Sequence, residues 1–266
     1  MENKHSYTIP TMAELAREGK APEVLLWIGC AGSYDERYKK VTGAFVKILN
    51  IANVDFAVLG EEETCTGDPA RRAGNEFLFQ MQAAANIRVL NAYSIKKIVT
   101  ACPHCYNTIK NEYPDLGGNY EVVHHSEFLN QLIKDGRLIM DDDHDLKNSK
   151  VTYHDSCYLG RANQVYEAPR RLIETLRADL VEMNRNRQNG LCCGAGGAQM
   201  FKESEKGNKD INIERTEEAL ETGVGIIASA CPFCLTMLSD GIKNKEREDD
   251  VKVLDIAELI ANSKSL

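Results

Sequence analysis

The sequence lacks an apolar run long enough for a membrane-spanning helix, since its best candidate, residues 223–230, is short and leads into a Cys-x-x-Cys pair. It has no excess of basic charge either, because 32 lysines and arginines are outnumbered by 40 acidic residues. The resulting net charge of −8 argues against a nucleic-acid partner, which would require a basic surface. The first residues lack the profile of a secretory signal peptide, which favours a cytoplasmic location.

The sequence is also poorly suited to a framework of disulfides, because its number of cysteines, nine, is odd. In a reducing compartment, this many cysteines are typical of metal binding or redox chemistry. The hydrophobic fraction of 43% is ordinary for a globular protein that buries a sizeable core. The distinctive feature of the chain is therefore its thiols.

The nine cysteines form two sets with the same layout. The first set, a single cysteine followed by Cys-Thr-Gly and Cys-Pro-His-Cys, consists of Cys30, Cys65, Cys102 and Cys105. The second set, a single cysteine followed by Cys-Cys-Gly and Cys-Pro-Phe-Cys, consists of Cys157, Cys192, Cys193, Cys231 and Cys234. In both sets the first two cysteine positions enclose 34 residues, so a duplicated unit explains the pattern.

Short apolar runs of strand type alternate with helical patterns in both halves, which predicts an α/β fold with parallel sheets covered on both faces. The strands are expected at residues 24–28, 54–59, 97–101, 120–124, 150–154, 180–183, 224–229 and 251–254. The helices are expected at residues 35–50, 75–92, 168–177, 208–222 and 256–261, and also directly after Cys102 and from Ser126. In such sheets ligands bind beyond the carboxyl ends of the strands, where every cysteine falls. We therefore expect two pseudo-symmetric Rossmann-like halves with their cysteines at the strand ends.

Three segments are expected along the chain: an N-terminal arm over residues 1–23, a first half over residues 24–140 and a second half over residues 141–266. The arm is polar and should fold over the body or dock on a partner. The run from Asp141 to Asp145 is acidic apart from one histidine, and a solvated linker between the halves is its simplest explanation.

Thiolates are soft ligands that suit iron–sulfur clusters and zinc. A cubane [4Fe–4S] cluster takes four cysteines, the number in the first set, although the same four could also bind zinc. The second set has one thiolate more than a cubane requires, so it could hold an opened cluster or leave one sulfur free as a donor or nucleophile. A Cys-x-x-Cys at the start of a helix suits either role, because backbone N–H groups there offset negative charge.

These motifs resemble those of the CCG-domain proteins, which carry two copies of a spaced Cys…Cys-Cys-Gly…Cys-x-x-Cys motif. The family includes a cysteine-rich component of heterodisulfide reductase and the iron–sulfur subunits of glycolate oxidase. The resemblance is strongest to the soluble part of the iron–sulfur proteins that oxidise electron-transfer flavoprotein and reduce quinone. It covers residues 24–260 and rests on CTGDPARR (65–72), YHDSCYLGR (153–161) and CCGAGG (192–197).

The resemblance implies a cluster for each set. In heterodisulfide reductase a complete motif holds a non-cubane [4Fe–4S] cluster with five cysteines, which here are Cys157, Cys192, Cys193, Cys231 and Cys234. The first motif departs from this pattern because Thr66 replaces the second cysteine of its pair, so the resemblance implies a four-cysteine cubane, with zinc as an alternative.

The resemblance also implies partners and a location. The larger relatives carry a ferredoxin-like segment and membrane helices, so a ferredoxin-domain or membrane quinone-reducing subunit is expected beside a flavoprotein such as electron-transfer flavoprotein. The chain would then be cytoplasmic, or peripheral on the inner face of the membrane through a partner. Its implied function is electron transfer, as an iron–sulfur subunit of an oxidoreductase complex.

Three other functions remain open at this stage. Thiol–disulfide exchange is typical of a Cys-x-x-Cys that follows a strand and opens a helix, but it needs neither the single cysteines nor a second pair. Reduction of a disulfide substrate at the five-cysteine cluster is the second alternative, and a zinc-stabilised scaffold is the third.

Two histidines near the cysteines have alternative explanations. His154, three residues before Cys157, could be an auxiliary ligand, a proton donor near the cluster or a histidine satisfied by local hydrogen bonds. His104 lies inside the first Cys-x-x-Cys, and its counterpart in the second is Phe233, which favours packing over ligation.

Overall fold

The structure, a computed structural model, describes residues 9–140, 145–203 and 206–263. Most of the acidic run expected as a linker, residues 141–144, lies outside the described residues, as do residues 1–8 of the expected arm. Within the described ranges, no helix combines the length and the hydrophobicity needed to cross a bilayer.

The first half contains a four-stranded, all-parallel sheet in the order β2–β1–β3–β4. Its strands are β1 (Val24–Trp27), β2 (Phe56–Ala57), β3 (Lys97–Thr100) and β4 (Glu121–His124). Its helices are α1 (Met12–Arg17), α2 (Gly29–Tyr34), α3 (Glu36–Ile51), α4 (Asp68–Arg72), α5 (Glu76–Ala92), α6 (Pro103–Asn107) and α7 (His125–Lys134). A π-helical turn, Thr108–Glu112, follows α6 directly.

The second half repeats this sheet in the order β6–β5–β7–β8. Its strands are β5 (Lys150–Tyr153), β6 (Asp179–Leu180), β7 (Ile226–Ser229) and β8 (Lys252–Asp255). Its helices are α8 (Glu167–Thr175), α9 (Ile211–Glu221), α10 (Pro232–Asn244) and α11 (Ile256–Ala261). Numbered within its own half, each sheet has the strand order 2-1-3-4. The predicted α/β fold with two Rossmann-like parallel halves is confirmed.

The two sheets form where they do because apolar strands are flanked by helices with clear start signals. β1 is buried along its whole length, as expected for a strand covered on both faces. Asp35 accepts a hydrogen bond from the Tyr38 backbone N–H (2.7 Å) and thereby caps α3. Pro103 and Pro232 occupy the first positions of α6 and α10, where a missing N–H costs nothing. These two helices therefore begin directly at the Cys-x-x-Cys pairs.

The two halves pack against each other through α3 with α11 and through α7 with α8. Arg37 of α3 pairs with Glu258 of α11 (2.7 Å), and the fully buried His125 lies 2.9 Å from Asp255. Because these contacts join residues more than a hundred positions apart, they fix the two sheets relative to each other.

Several of the described segments differ from the sequence-based expectations. The arm contains a helix, α1, which begins with a capping box formed by Thr11 and Glu14 and buries Met12 against the first sheet. Cys30, expected at the end of a strand, lies inside the short helix α2, because Gly29 adopts a left-handed conformation (φ +76°) that turns the chain directly after β1. The strands β2 and β6, with two residues each, are also shorter than predicted.

Candidate functional site

The nine cysteines are all free thiols, and they lie at the carboxyl ends of the two sheets. Cys102 and Cys231 are the N-cap residues of α6 and α10, directly after β3 and β7. Cys30 is exposed, Cys65, Cys157 and Cys192 are half-buried, and the other five are buried. Thiols of different depth at one edge of each sheet can surround a group that enters from the surface.

The first set lines a small space together with Thr66, His104 and Phe233. Within this set hydrogen bonding to Cys65 raises the pKa of Cys30, and hydrogen bonding to Cys102 raises that of Cys105. Thr66, at the position of the absent fifth cysteine, has its hydroxyl 4.0 Å from the Cys105 sulfur. The structure thus brings all four cysteines of the first set together.

One glycine and a half-buried carboxylate bring the backbone close to the first set. A Cβ on Gly29 would lie 3.3 Å from the Cys105 sulfur, so a side chain at this position would crowd the thiol. The carboxylate of Glu63 accepts hydrogen bonds from the backbone N–H groups of Ile28 (3.0 Å) and Gly29 (2.5 Å). Burial raises the pKa of Glu63 to about 7, against the opposing effect of these bonds. Glu63 therefore orients the turn that carries Cys30, a role that sequence analysis missed.

The thiols of the second set influence one another's ionisation. Hydrogen bonding to Cys192 raises the pKa values of Cys157 and Cys193, and hydrogen bonding to Cys193 and Cys231 raises that of Cys234. The sulfurs of Cys193 and Cys234 are 3.3 Å apart. The adjacent Cys192 and Cys193 face the same target because the loop bends, with Gly194 in a left-handed conformation (φ +92°).

The pKa values of neighbouring thiols shift in opposite directions within each set. Hydrogen bonds from Cys30 and the Gly67 backbone lower the pKa of Cys65 to about 6, although burial opposes them. Hydrogen bonds from Cys157 and Cys193 lower the pKa of Cys192 strongly. The neighbouring thiols of these two residues, by contrast, have raised pKa values because they share the hydrogen bond and are partly desolvated. A bound cation would replace the shared protons, which is the behaviour of a metal-binding thiol set.

His104 connects the two sets. Its Nδ1 lies 2.8 Å from Asp68, and its imidazole is also hydrogen-bonded to the Cys231 thiol of the second set. The ring packs against Tyr158 (centroids 4.3 Å apart) and Phe233 (4.7 Å), which both belong to the second half. Burial opposes protonation, but the bonds to Asp68 and Cys231 raise the pKa of His104 to about 10. His104 therefore packs against aromatic rings, as predicted, and it also forms a charged hydrogen bond between the two halves.

Asp68 is part of a larger charged network that sequence analysis did not anticipate. Its carboxylate pairs with Arg72 (2.9 Å) as well as with His104, and Arg72 and Arg71 both pair with Glu112 on the π-helical turn. The sequence signal was the CTGDPARR motif, which contains Asp68, Arg71 and Arg72.

His154 lies behind the second set, at the end of β5. Its Nδ1 accepts a hydrogen bond from the Arg215 Nε–H (2.9 Å), so local hydrogen bonding satisfies one ring nitrogen. One imidazole nitrogen lies within 4.8 Å of the sulfurs of both Cys193 and Cys234. Burial and the charge of Arg215 lower the pKa of His154 to about 3. The histidine is therefore neutral and adjacent to two of the five thiols.

The fold and the site together define a class: a duplicated α/β protein in which each half presents cysteines at the carboxyl edge of a parallel sheet. The profile of the cysteine-rich domain family, CCG, matches residues 24–110 and 151–239. The chain belongs to this family.

Three relatives show what the chain is similar to. "Probable iron-sulfur-binding oxidoreductase FadF" of Bacillus subtilis is 52% identical over 96% of this chain and 36% of its own length. "EtfAB:quinone oxidoreductase" of Syntrophomonas wolfei is 46% identical over 92% of this chain and 35% of its own length. A component of the dihydromethanophenazine:CoB–CoM heterodisulfide reductase of Methanosarcina barkeri is 34% identical over 94% of this chain and 60% of its own length. The chain thus spans about a third of the length of the first two relatives.

Proposed function

We propose that the chain is an iron–sulfur electron-transfer subunit of an oxidoreductase complex related to heterodisulfide reductase. The observation that carries this proposal is the convergence of all nine free thiols into two groups at the carboxyl edges of the sheets. The names of three relatives, two of them oxidoreductases with quinone or iron–sulfur in the name and one a component of a heterodisulfide reductase, support it.

The residues of both sets fit clusters of this kind. On this proposal Cys157, Cys192, Cys193, Cys231 and Cys234 hold a non-cubane [4Fe–4S] cluster. Cys30, Cys65, Cys102 and Cys105 hold a cubane [4Fe–4S] cluster, with zinc as the alternative. An iron–sulfur cluster, when bound, supplies reversible one-electron chemistry. The chain itself supplies the thiolates, the backbone N–H groups of Gly67 and Gly194 that donate to Cys65 and Cys192, and the burial that excludes water.

Thiol–disulfide exchange is disfavoured by the depth of the two Cys-x-x-Cys pairs. The first cysteine of such a pair must be exposed to attack another protein, but Cys102 is 6% exposed and Cys231 is fully buried. In the first pair both thiols are hydrogen-bonded within the set, as they are in the second. Buried, mutually bonded thiols are better suited to holding a cofactor.

Reduction of a small disulfide at the second set remains a second candidate function. It is favoured by the surplus sulfur there and by the partial exposure of Cys157 and Cys192. A small substrate could reach these two thiols, whereas Cys231 and Cys234 are inaccessible.

We propose that the partners are a flavoprotein, such as electron-transfer flavoprotein, and a ferredoxin-domain or membrane quinone-reducing subunit. A chain that stores single electrons needs a donor and an acceptor, and the name of one relative contains both EtfAB and quinone. A location on the inner face of the membrane would then depend on the partner.

The test is a redox cycle under anaerobic conditions. Protein reduced by an artificial donor should develop paramagnetic signals that disappear when a quinone analogue is added, with no consumption of small disulfides. Protein that develops no reducible signal contradicts the electron-transfer proposal, and steady turnover of a disulfide favours the second candidate.

A further inference from the structure

The pair formed by His154 and Arg215 lies wholly inside the second half and has no role in the proposed binding of the cluster. Both side chains are fully buried. Arg215 is itself held in place by Glu218 (2.8 Å) and by the backbone carbonyl of Arg185 (2.8 Å). Its Nε–H therefore reaches His154 Nδ1 from a fixed direction, at 2.9 Å.

This contact decides which nitrogen of His154 carries the proton. A guanidinium group has only N–H donors and no acceptor, so Nδ1 must accept the bond and cannot carry a proton. In a neutral imidazole the proton then lies on Nε2, which becomes a donor. Arg215 thus fixes the tautomer of His154 without any contribution from solvent.

The protonated nitrogen has no partner of its own. His154 Nε2 is buried and makes no hydrogen bond to any part of the chain that the structure describes. Since Nδ1 is occupied by Arg215, Nε2 is the nitrogen available to the sulfurs of Cys193 and Cys234, which lie within 4.8 Å of the imidazole. A buried donor without an acceptor is energetically costly, so a group at the second set is its natural partner.

The direction of the Arg215 bond also excludes ligation. A histidine that binds a metal uses the lone pair of one nitrogen and donates the other N–H to an acceptor such as a carboxylate. Here the partner of Nδ1 is a donor, so neither nitrogen of the neutral ring combines a free lone pair with access to the thiols. The arrangement is the opposite of a ligating histidine.

We propose that His154, oriented by Arg215, is a positioning residue that donates its Nε2–H to the sulfur of the second centre without being a ligand. This inference rests on the proposed function, because it requires a cluster at the five cysteines. A hydrogen bond to cluster sulfur stabilises the more negatively charged, reduced form and raises the reduction potential.

The first experiment compares His154→Leu, which removes the donor, with His154→Gln, which keeps an N–H at a similar distance. In a redox titration followed by paramagnetic resonance, His154→Leu should lower the ratio of reduced to oxidised second centre about tenfold at a fixed potential. That corresponds to about 59 mV for a one-electron couple. His154→Gln should stay near the wild type, and the first centre should be unchanged in both variants. Equal shifts in the two variants, or no shift in either, would overturn the proposal.

A second measurement needs no substitution at this position. Electron–nuclear double resonance on protein labelled with ¹⁵N-histidine should show a weak nitrogen coupling and an exchangeable proton at the second centre. The coupling should persist in His104→Phe, which removes the other histidine bonded to this set. A coupling of the strength of a directly bound nitrogen, or none at all, would overturn the assignment. Absence of iron from the second set would instead contradict the proposed function itself.

Discussion

The two halves of the molecule share a strand order and the spacing of their first two cysteine positions, but they differ in what surrounds the thiols. Trp27 stands three residues before Cys30, where the second half has His154 before Cys157. Asn86 stands sixteen residues before Cys102, where the second half has Arg215 before Cys231. The same frame therefore carries two different environments.

The difference lies in charge and hydrogen bonding. In the first half Asn86 holds the loop around Cys65, donating to its carbonyl (2.9 Å) and accepting from the Thr64 hydroxyl (2.8 Å). In the second half Arg215 orients a histidine toward the thiols instead. The second half also has a fifth cysteine where the first half has Thr66, so the two sets differ both in the number of thiols and in the side chains around them.

The largest effect is expected when one sulfur is removed from the second set, because the first set should then be unaffected. Cys193→Ser removes one proposed ligand and its contact with Cys234 (3.3 Å), so the paramagnetic spectrum of the second centre should change or disappear. The first centre, which shares no cysteine with it, should keep its signal. An unaltered second signal in this variant would contradict the five-ligand assignment.

The reverse substitution should make the first centre resemble the second. Thr66→Cys places a fifth thiol beside Cys105, whose sulfur lies 4.0 Å from the threonine hydroxyl. If the fifth cysteine determines the cluster type, the spectrum of the first centre should approach that of the second. Thr66→Ser is the matched control and should leave the spectrum as it is. A Thr66→Cys spectrum identical to that of the control would show that the environment, and not the extra sulfur, separates the halves.

A third comparison concerns the residue directly after His154. Asp155 forms a bidentate pair with the buried Arg170 (2.8 Å for both bonds), whereas the equivalent residue of the first half is the apolar Ile28. Asp155→Asn should lower the free energy of unfolding by about 3 kcal/mol, at the low end for a broken buried pair, because Arg170 keeps Glu182. Ile28→Val should cost only about 1 kcal/mol. Urea unfolding of both variants measures the difference, and equal losses would contradict it.

The same pair predicts a pH dependence. Burial opposes ionisation of Asp155, but its hydrogen bonds with Arg170 hold its pKa below the ordinary value. A carboxyl group whose folded pKa is depressed stabilises the fold above its unfolded pKa of about 3.9, and this contribution is lost as the pH falls through the folded value. The gap in stability between wild type and Asp155→Asn should therefore narrow below about pH 4. A gap that stays constant down to pH 3 would mean that the charge contributes nothing.

The smallest expected effect tests the connection between the sets. His104→Phe copies the residue that the second half carries at this position, Phe233, and removes the bonds to Asp68 and Cys231. Because Asp68 keeps its ion pair with Arg72, the free energy of unfolding should fall by only about 1–2 kcal/mol. Unchanged stability in urea would mean that His104 only packs, as its sequence position suggested.

Local sequence patterns predicted most of this architecture, because cysteine spacing, apolar runs and prolines act over short distances. Helix α11 begins and ends where it was expected, and the predicted helix after Cys102 starts at a proline, whose effect is local. The helical turn around Cys30 escaped prediction because it depends on the left-handed conformation of Gly29 and on Glu63, more than thirty residues away.

The partners of the two histidines could not be predicted for the same reason. His104 meets Asp68 across 36 positions, and His154 meets Arg215 across 61. Only the folded sheets bring these residues together, so the periodicity of the sequence does not indicate these contacts. The sequence therefore indicated which atoms could bind a metal, but not which side chains would orient or tune them.

The most direct test of the central claim is a count of iron, acid-labile sulfide and zinc in protein prepared without oxygen, together with thiol labelling. Clusters in both sets predict about eight irons per chain, or about four with one zinc if the first set binds zinc, and thiols that resist the label. Colourless protein without metal, in which all nine thiols react, would contradict the claim that the two cysteine sets hold iron–sulfur clusters.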